Sequence, residues 1–285
     1  MARTERHRVG NGHIDSDQPN TPPSPDQIVE EAKRRIAGRP PTTPPQLKGT
    51  ALKLNRGVFW LANHWVGLIN AVILVYLAGT FVAPVLMHTD AQRAAGAVYA
   101  FYRPFCHQYP FRSWFLYGDA AAHPLHEPIS LLKMNALSAY VGSPEEGYKI
   151  ALCQRDVAIY GAMLVTGLAY GVARRFAKIR PLPLWLYFTF GIVPMLLDGG
   201  IQWLSYAIWL IFPGLLAEPF ETIPLMRALT GALFGFGVIG VGYPYLAEYF
   251  DDVRDTLRDK YGWGGDSPQR SVVGSQPEPA LGSQE

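Results

Sequence analysis

Cysteine is scarce in this sequence, with only Cys106 and Cys153 among its 285 residues. The two are far apart, and the sequence has no Cys-x-x-Cys or His-x-x-x-His pair. It also lacks a glycine-rich phosphate loop, a Gly-x-Ser-x-Gly elbow and a His-Glu-x-x-His helix. These absences exclude the usual motifs of dithiol oxidoreductases, P-loop nucleotide-binding proteins, serine hydrolases and zinc peptidases.

Charged residues are also few, 17% of the chain against 49% hydrophobic residues, and the two kinds are segregated. Residues 1–56 are polar and include the proline-rich PPTTPP at 40–45. Residues 266–285 are rich in Ser, Gln, Pro and Gly. Neither tail has enough apolar surface to offset the entropy of ordering it, so both are predicted to be disordered.

Long hydrophobic runs between the tails predict membrane-spanning helices, since a helix needs about 20 apolar residues to cross a bilayer. The third of these runs is too long for a simple span and contains Pro194 and Gly199-Gly200, so we expect one crossing that is kinked or unwound there. The four runs are 58–87, 157–173, 181–212 and 224–247. The predicted fold is all-α, a polytopic transmembrane helical bundle at 57–250 with a broken third helix, flanked by polar tails at 1–56 and 251–285.

The distribution of basic residues predicts the orientation, because lysine and arginine accumulate on the cytoplasmic side. The third loop carries Glu218 and Glu221 and no base. The basic residues are Arg34, Arg35, Arg39, Lys48, Lys53 and Arg56 before the first run, and Arg174, Arg175, Lys178 and Arg180 in the second loop. Both termini are therefore expected in the cytoplasm and loop 88–155 outside. The first run is far longer than the apolar part of a signal peptide, so it should remain as an anchor.

This topology brings scattered polar residues to one level. Cys106 and His107 fall in the outer loop, Cys153 at the outer mouth of the second helix. Arg227 begins the fourth helix from the outer side. Asp198 lies about 17 residues after the inner start of the third crossing, a rise of roughly 25 Å, which puts it in the outer half of the membrane. We therefore expect one polar site near the outer face.

Helical spacing predicts which of these residues share a face. Cys153, Asp156 and Tyr160 are spaced i, i+3, i+7, and Asp198 and Gln202 form an i, i+4 pair. Small residues spaced four apart, which let helices approach closely, are Gly167 with Gly171 and Gly231 with Gly235. Close packing of this kind would turn the polar faces toward one another and away from lipid.

Four blocks then make the sequence recognisable: CHQYPFRSWFLYG (106–118), CQRDVAIYG (153–161), PMLLDGGIQ (194–202) and MRALTGALFG (226–235). Through them the chain resembles the prokaryotic membrane-protein family catalogued as domain of unknown function 2085 (DUF2085), over roughly residues 99–237. The resemblance implies an integral protein of a prokaryotic cell membrane and brings no established reaction. The family's recurring polar positions correspond here to Cys106, His107, Gln108, Arg112, Ser113, Cys153, Arg155, Asp198, Gln202 and Arg227. The chain departs from the family pattern in a long insertion at 120–150, between the first two blocks.

The leading interpretation of the site is a metal- or thiol-based centre. Two thiolates and an imidazole, from Cys106, Cys153 and His107, suit zinc, copper or iron. A fourth ligand would come from Asp156, or from His123 or His126. Gln108, Arg112, Ser113, Arg155, Asp198, Gln202 and Arg227 would then orient the ligands or bind an anionic substrate.

Two alternatives use the thiols without a metal. Cysteines on the oxidising side of a membrane are usually bridged, so a structural Cys106–Cys153 disulfide is the simplest. A labile disulfide beside His107 and Arg155 could instead exchange electrons with a quinone or a thiol protein.

The charged residues of the helices have their own two interpretations. Asp198 and Arg227 are expected to pair, and Arg155 with Asp156, fixing the helices relative to one another. Alternatively, Arg112, Arg155 and Arg227 form an anion site for a small molecule or a lipid headgroup, in a transporter or lipid-handling protein. The bilayer is the expected partner and nucleic acid is not, because the basic residues of the N-terminal tail are mixed with acids.

Overall fold

The computed structural model describes residues 24–37, 49–123, 136–212, 214–216 and 218–263. The chain forms two units, 1–47 and 48–285. In the first unit, helix α1 spans Pro25–Ala37. Its start is a capping box, in which the Ser24 hydroxyl accepts from the Gln27 backbone N–H and the Gln27 side chain accepts from the Ser24 N–H.

Helices of membrane length dominate the second unit. In chain order it contains α2 (Thr50–His88), α3 (Gln92–Tyr102), β1 (Ser113–Leu116), β2 (Gly142–Ser143), β3 (Gly147–Cys153), α4 (Gln154–Ala173), α5 (Leu184–Tyr187), α6 (Val193–Ile211) and α7 (Pro224–Tyr261).

Four helical stretches among the described residues are long and apolar enough to cross a bilayer: Thr50–His88, Gln154–Ala173, Leu184–Ile211 and Pro224–Tyr261. Large apolar side chains on these helices remain exposed, for example Val165 at 69% and Trp203 at 73%. Such surface is stable against lipid tails and not against water. The predicted all-α bundle with four crossings is confirmed.

The helices are longer than the apolar runs that predicted them. Within residues 1–56, where a disordered tail was predicted, the structure describes α1 and the first turns of α2. α7 likewise continues past 247 to Tyr261. Lys, Arg, Glu and Leu all favour helix, so a span can extend into polar sequence beyond the membrane. The rest of the N-terminal tail and residues 266–285 lie outside the described residues.

The third crossing contains an irregular turn, as predicted, but this turn does not lie at Gly199-Gly200. A π-turn at Phe188–Ile192 joins α5 to α6, and Pro194 stands in the first turn of α6, where it needs no hydrogen-bond partner for its nitrogen. Gly199 and Gly200 remain in regular helix. A side chain at Gly199 would meet the guanidinium of Arg155 at 3.2 Å, so that glycine leaves room for a charged neighbour and does not break the helix.

The loop between α2 and α4 is folded around a small antiparallel sheet of order β1-β3-β2. Ser113 of β1 pairs with Cys153 of β3, and Phe115 with Lys149. The middle of β3 is fully buried against α2 and α3. β3 runs into α4 with no residue between them, because Cys153 ends the strand and is also the N-cap of the helix.

Close packing of α4 against α7 aligns the polar ends of these two helices. A Cβ at Gly235 would stand 2.3 Å from the carbonyl oxygen of Ile159, and one at Gly231 would stand 2.6 Å from that of Arg155. Only glycine permits backbones this near. The small-residue spacing at Gly231 and Gly235 therefore marks a real helix–helix contact.

Candidate functional site

Cys106, Cys153 and Asp156 form a compact cluster at the end of the bundle that carries the sheet. Each offers one ligand atom, and the three atoms lie within 4.8 Å of one another. The Cys153 thiol donates to Oδ2 of Asp156 at 3.1 Å. Both cysteines are free thiols, Cys106 buried and Cys153 half-buried. We call this group the Cys-Asp cluster.

Gln108 holds Cys106 in this position. It adopts a left-handed backbone conformation with φ 56°, which turns the chain sharply after Cys106. Its buried amide donates to the backbone oxygens of Tyr99 at 2.8 Å and of Ala151 at 3.1 Å. The end of α3 and the middle of β3 are thereby tied together on either side of the thiol.

The two thiols differ in acidity because their side chains interact. The interaction with Cys153 lowers the pKa of Cys106, although burial opposes this. The same interaction raises the pKa of Cys153, and burial raises it further. Cys106 is therefore the thiol that ionises first.

Lys149 lies beside this cluster and has no solvent exposure. Its ammonium donates to the backbone oxygens of Gln108 at 2.5 Å and of Ser138 at 2.9 Å. Burial lowers the pKa of Lys149 to about 8. Hydrogen bonds to neutral carbonyls are a costly environment for a cation, since carbonyl dipoles replace only part of its lost hydration.

A carboxylate hub lies next to the Cys-Asp cluster. Glu221, just before α7, accepts from the guanidinium groups of Arg112 and Arg227 and from the Gln202 amide. The Tyr206 hydroxyl donates to it as well, at 2.5 Å. Burial acts to lower the pKa of Arg112, but the hydrogen bonds and charge of Glu221 outweigh it and raise that pKa.

A second ion pair joins α4 to α6. Arg155 donates to Asp198 at 2.5 Å, and the Thr230 hydroxyl donates to the same carboxylate at 3.0 Å. Arg155 also reaches Oε1 of Gln202 at 3.4 Å, which links this pair to the hub. We call the hub and this pair together the arginine network.

The predicted pairing of these charges is wrong in both cases. Arg227 pairs with Glu221 and not with Asp198, because it begins α7 directly beside the loop that carries Glu221. Arg155 pairs with Asp198 and not with Asp156, because neighbouring residues on a helix point in different directions. Asp156 faces Cys153 instead.

Arg227 is held by several hydrogen bonds and is only 3% exposed. Besides Glu221, it donates to the Phe111 backbone oxygen at 3.0 Å and to Gln154 Oε1 at 3.2 Å. The Gln154 amide in turn donates to the backbone oxygen of Ser113 at 3.0 Å. Ser113 itself is buried and bonds its own loop through Tyr109, so it positions backbone and not a ligand.

A cavity of about 120 Å³ is lined by residues of both the Cys-Asp cluster and the arginine network. Thiols, a carboxylate and guanidinium groups therefore all border it. The residues around it are Phe105, Cys106, His107, Gln108, Tyr109, Arg112, Cys153, Arg155, Asp156, Gln202 and Arg227.

Of the three candidate histidines, the two that the structure describes, His107 and His123, do not join the Cys-Asp cluster. His107 is exposed at the cavity, with its ring stacked over Tyr109 at 5.7 Å between centroids. His123 lies at the sheet, where its Nε2 is 3.0 Å from the backbone oxygen of Glu146. His126 lies outside the described residues.

Two central residues were missed by sequence reasoning. Glu221 was considered only as an acidic loop residue, although its place six residues before Arg227 and just ahead of a membrane helix marked it as a counter-ion. Lys149 carries no sequence signal apart from a single charge within the apolar strand β3, YKIALC.

No curated protein and no solved structure matches the chain significantly. A family model does match, over the part of the chain that contains Cys153, Arg155, Asp198 and Arg227. The resemblance is thereby confirmed for these residues: 145–241 match the family described as predicted membrane protein (DUF2085).

Proposed function

We propose that this membrane protein binds a divalent transition-metal ion at Cys106, Cys153 and Asp156. The observation that carries the proposal is the mutual distance of the three ligand atoms, within 4.8 Å. Sulfur and oxygen ligands at about 2.0–2.3 Å from a tetrahedral zinc ion lie roughly 3.5 Å from one another. Small rotations of the three side chains would therefore bring them to bonding positions.

The choice of ligands favours zinc, copper or iron over magnesium or calcium. Two thiolates form a soft donor set, whereas magnesium and calcium prefer oxygen. Three protein ligands leave one position of a tetrahedral ion for an exogenous group. That position would face the cavity beside the cluster.

The charge around the cavity supports a divalent cation. The three arginines of the network are matched by two carboxylates, Glu221 and Asp198, which leaves one positive charge in surplus. The three ionised ligands would add three negative charges and the neighbouring Lys149 ammonium one positive charge, so the whole group would carry a net charge of −1. A bound cation offsets this negative charge.

The arginines and His107 are proposed to act around the metal and not on it. Each arginine already has a carboxylate partner, which supports a role in fixing the helices more than in binding an anionic headgroup. His107 stands exposed at the cavity, where it could meet a group entering from outside. Gln108 and Gln202 hold the two sides of the cavity in place.

The same geometry supports one second candidate, a dithiol that cycles with a disulfide. The two free thiols are adjacent, and the lowered pKa of Cys106 favours the thiolate that begins such exchange. Oxidation would join the two sulfurs, releasing two protons and passing two electrons to an acceptor such as a quinone. A permanent structural bridge is the limiting case in which that exchange does not occur.

Both termini are proposed to lie in the cytoplasm of a prokaryotic cell, with the site near the outer face. The support is the excess of lysine and arginine at the opposite end of the bundle. Asp119→Cys and Arg180→Cys, each in a background without the native cysteines, would test this with an impermeant maleimide. Asp119→Cys should react in intact cells and Arg180→Cys only after lysis; the reverse pattern would invert the topology.

Zinc binding is the direct test of the metal site. The full chain, purified and reduced, should bind one zinc ion and lose two reactive thiols when it does. Cobalt(II) in place of zinc should show thiolate-to-metal charge-transfer absorption. Cys106→Ser, Cys153→Ser and Asp156→Asn should each weaken binding at least tenfold.

His107→Ala is the matched control, because it changes the neighbouring residue and keeps the three ligands. It should leave zinc affinity within about twofold of the unaltered chain. If both thiols stay reactive toward a thiol reagent in excess zinc, the metal proposal is wrong. Protein that carries no free thiol until it is reduced, and then binds no metal, would establish the disulfide instead.

A further inference from the structure

A second and larger cavity lies between α2 and α4, toward the C-terminal end of α4 and away from the Cys-Asp cluster. Its volume is about 670 Å³, within the range of small-molecule sites. Gly67, Ala71 and Gly171 form its floor, and Leu168 and Val172 stand exposed at its wall. Because it opens on the apolar surface of two membrane-spanning helices, we name it the lipid-facing groove.

Small residues bring α2 and α4 close together beside the groove. A Cβ at Gly167 would lie 2.2 Å from Oδ1 of Asn70, so only glycine allows that side chain to pack there. The Asn70 amide donates to the Val66 backbone oxygen at 2.8 Å and is 4% exposed. Gly67, one turn before Asn70 on α2, has no atom within 4 Å of its Cβ position, so the groove is open space at this residue.

Two guanidinium groups mark one end of the groove. Arg174 and Arg175 follow the last residue of α4, so they lie at the level where a membrane helix meets the headgroups. Arg174 is partly neutralised by Asp251 at 3.2 Å and lies over the Trp65 ring at 5.5 Å. Arg175 is exposed, and among the described residues no acid pairs with its guanidinium.

His64 adds a hydrogen-bonding group at the same end. Its Nδ1 lies 2.8 Å from the backbone oxygen of Trp60, which can only accept, so Nδ1 carries a proton. In the neutral ring, Nε2 is then left as an acceptor, and His64 lines the same groove as the two arginines. The ring is held by stacking on Trp60 at 4.8 Å between centroids.

We propose that the lipid-facing groove binds one anionic glycerophospholipid. Its phosphodiester would lie between Arg174 and Arg175, a headgroup hydroxyl would donate to His64, and one acyl chain would follow the glycine floor. A basic pocket between membrane helices at the headgroup level attracts anionic lipids. The apolar remainder of the groove matches a hydrocarbon chain and no water-soluble anion. The site is independent of the metal proposal, because no residue is common to both.

Native mass spectrometry of the full chain in detergent tests this with two probes of equal chain length, phosphatidylglycerol and phosphatidylcholine. The unaltered protein should retain one phosphatidylglycerol in clear preference to phosphatidylcholine. Arg175→Ala should weaken that retention about fivefold, the effect of one basic residue on an anionic headgroup. Arg180→Ala removes a charge from the same loop outside the groove and should leave retention unchanged.

Gly67→Leu tests the acyl-chain half of the site. The new side chain would enter open space, so the protein should fold and elute as before while losing the bound lipid. Gly57→Leu, also with nothing within 4 Å and on the same helix, should retain it. Equal retention of the two lipids by the unaltered chain, or retention unaffected by both Arg175→Ala and Gly67→Leu, would overturn the proposal.

Discussion

Arg227 and Glu221 form an ion pair that protein encloses almost completely, with the arginine side chain 4% and the glutamate side chain 17% exposed. Glu221 is also the only carboxylate that Arg112 contacts among the described residues. One loop residue thus anchors the start of α7 and the segment before β1.

Glu221→Gln should destabilise the protein by about 3–5 kcal/mol, because it leaves buried Arg227 without a counter-charge. Loss of free energy of unfolding, measured by denaturant titration in detergent, is the readout. Glu218→Gln is the matched control, since Glu218 is exposed in the same loop. Comparable losses in the two variants would mean that the hub contributes little.

Gly235→Ala should destabilise the contact between α4 and α7. Its Cβ would lie 2.3 Å from the Ile159 oxygen, and neither backbone can move without separating the helices. We expect a loss of about 1–3 kcal/mol, the usual cost of overpacking. Gly242→Ala, on the same helix with open space at its Cβ, should be neutral or slightly stabilising in the same thermal unfolding assay.

Lys149 should make stability rise with pH. Its pKa is about 8 in the folded protein and near 10.5 when unfolded, so the unfolded state binds more protons between these values. The free energy of unfolding should therefore increase by about 2 kcal/mol from pH 8 to pH 10. Lys149→Met should remove this increase, whatever its effect on stability at pH 7. Parallel pH profiles for the two proteins would contradict the assignment.

Zinc affinity should rise with pH below the thiol pKa values, because metal binding displaces thiol protons. The raised pKa of Cys153 keeps at least that proton in place near neutrality, so apparent affinity should increase about tenfold or more per pH unit. Competition with a chromophoric chelator from pH 6 to pH 8 measures this slope. A flat profile would show that the thiols are not ligands.

The bundle could be predicted from the sequence because lipid imposes a strong and simple pattern. The four apolar runs identify four helices, and the glycine spacing at Gly231 and Gly235 identifies a contact between two of them. The ends of the helices were harder to predict, since polar residues on either side of the membrane favour helix as well. The sheet was not predicted, because Ser113–Leu116 and Gly147–Cys153 pair across a separation that no local pattern reveals.

The sequence predicted which residues form the candidate site better than it predicted which of them pair with one another. Spacing on α4 indicated that Cys153 and Asp156 share a face, and topology put Cys106 at the same level. Which carboxylate pairs with which arginine depends on the rotation of three helices about their axes and on the conformation of one loop. That is why Asp198 was paired with the wrong arginine and Glu221 was not considered as a partner at all.

Strand β3 becomes helix α4 at Cys153 with no intervening residue, so the extramembrane sheet and a transmembrane helix move as one piece. A helix changes its tilt when the thickness of the surrounding bilayer changes. Such a tilt would carry Cys106 along with Cys153, because the Gln108 amide bonds the segment after Cys106 to Ala151 of β3. The sheet would thereby keep the spacing of the two sulfurs constant as the lipid chain length around the protein changes.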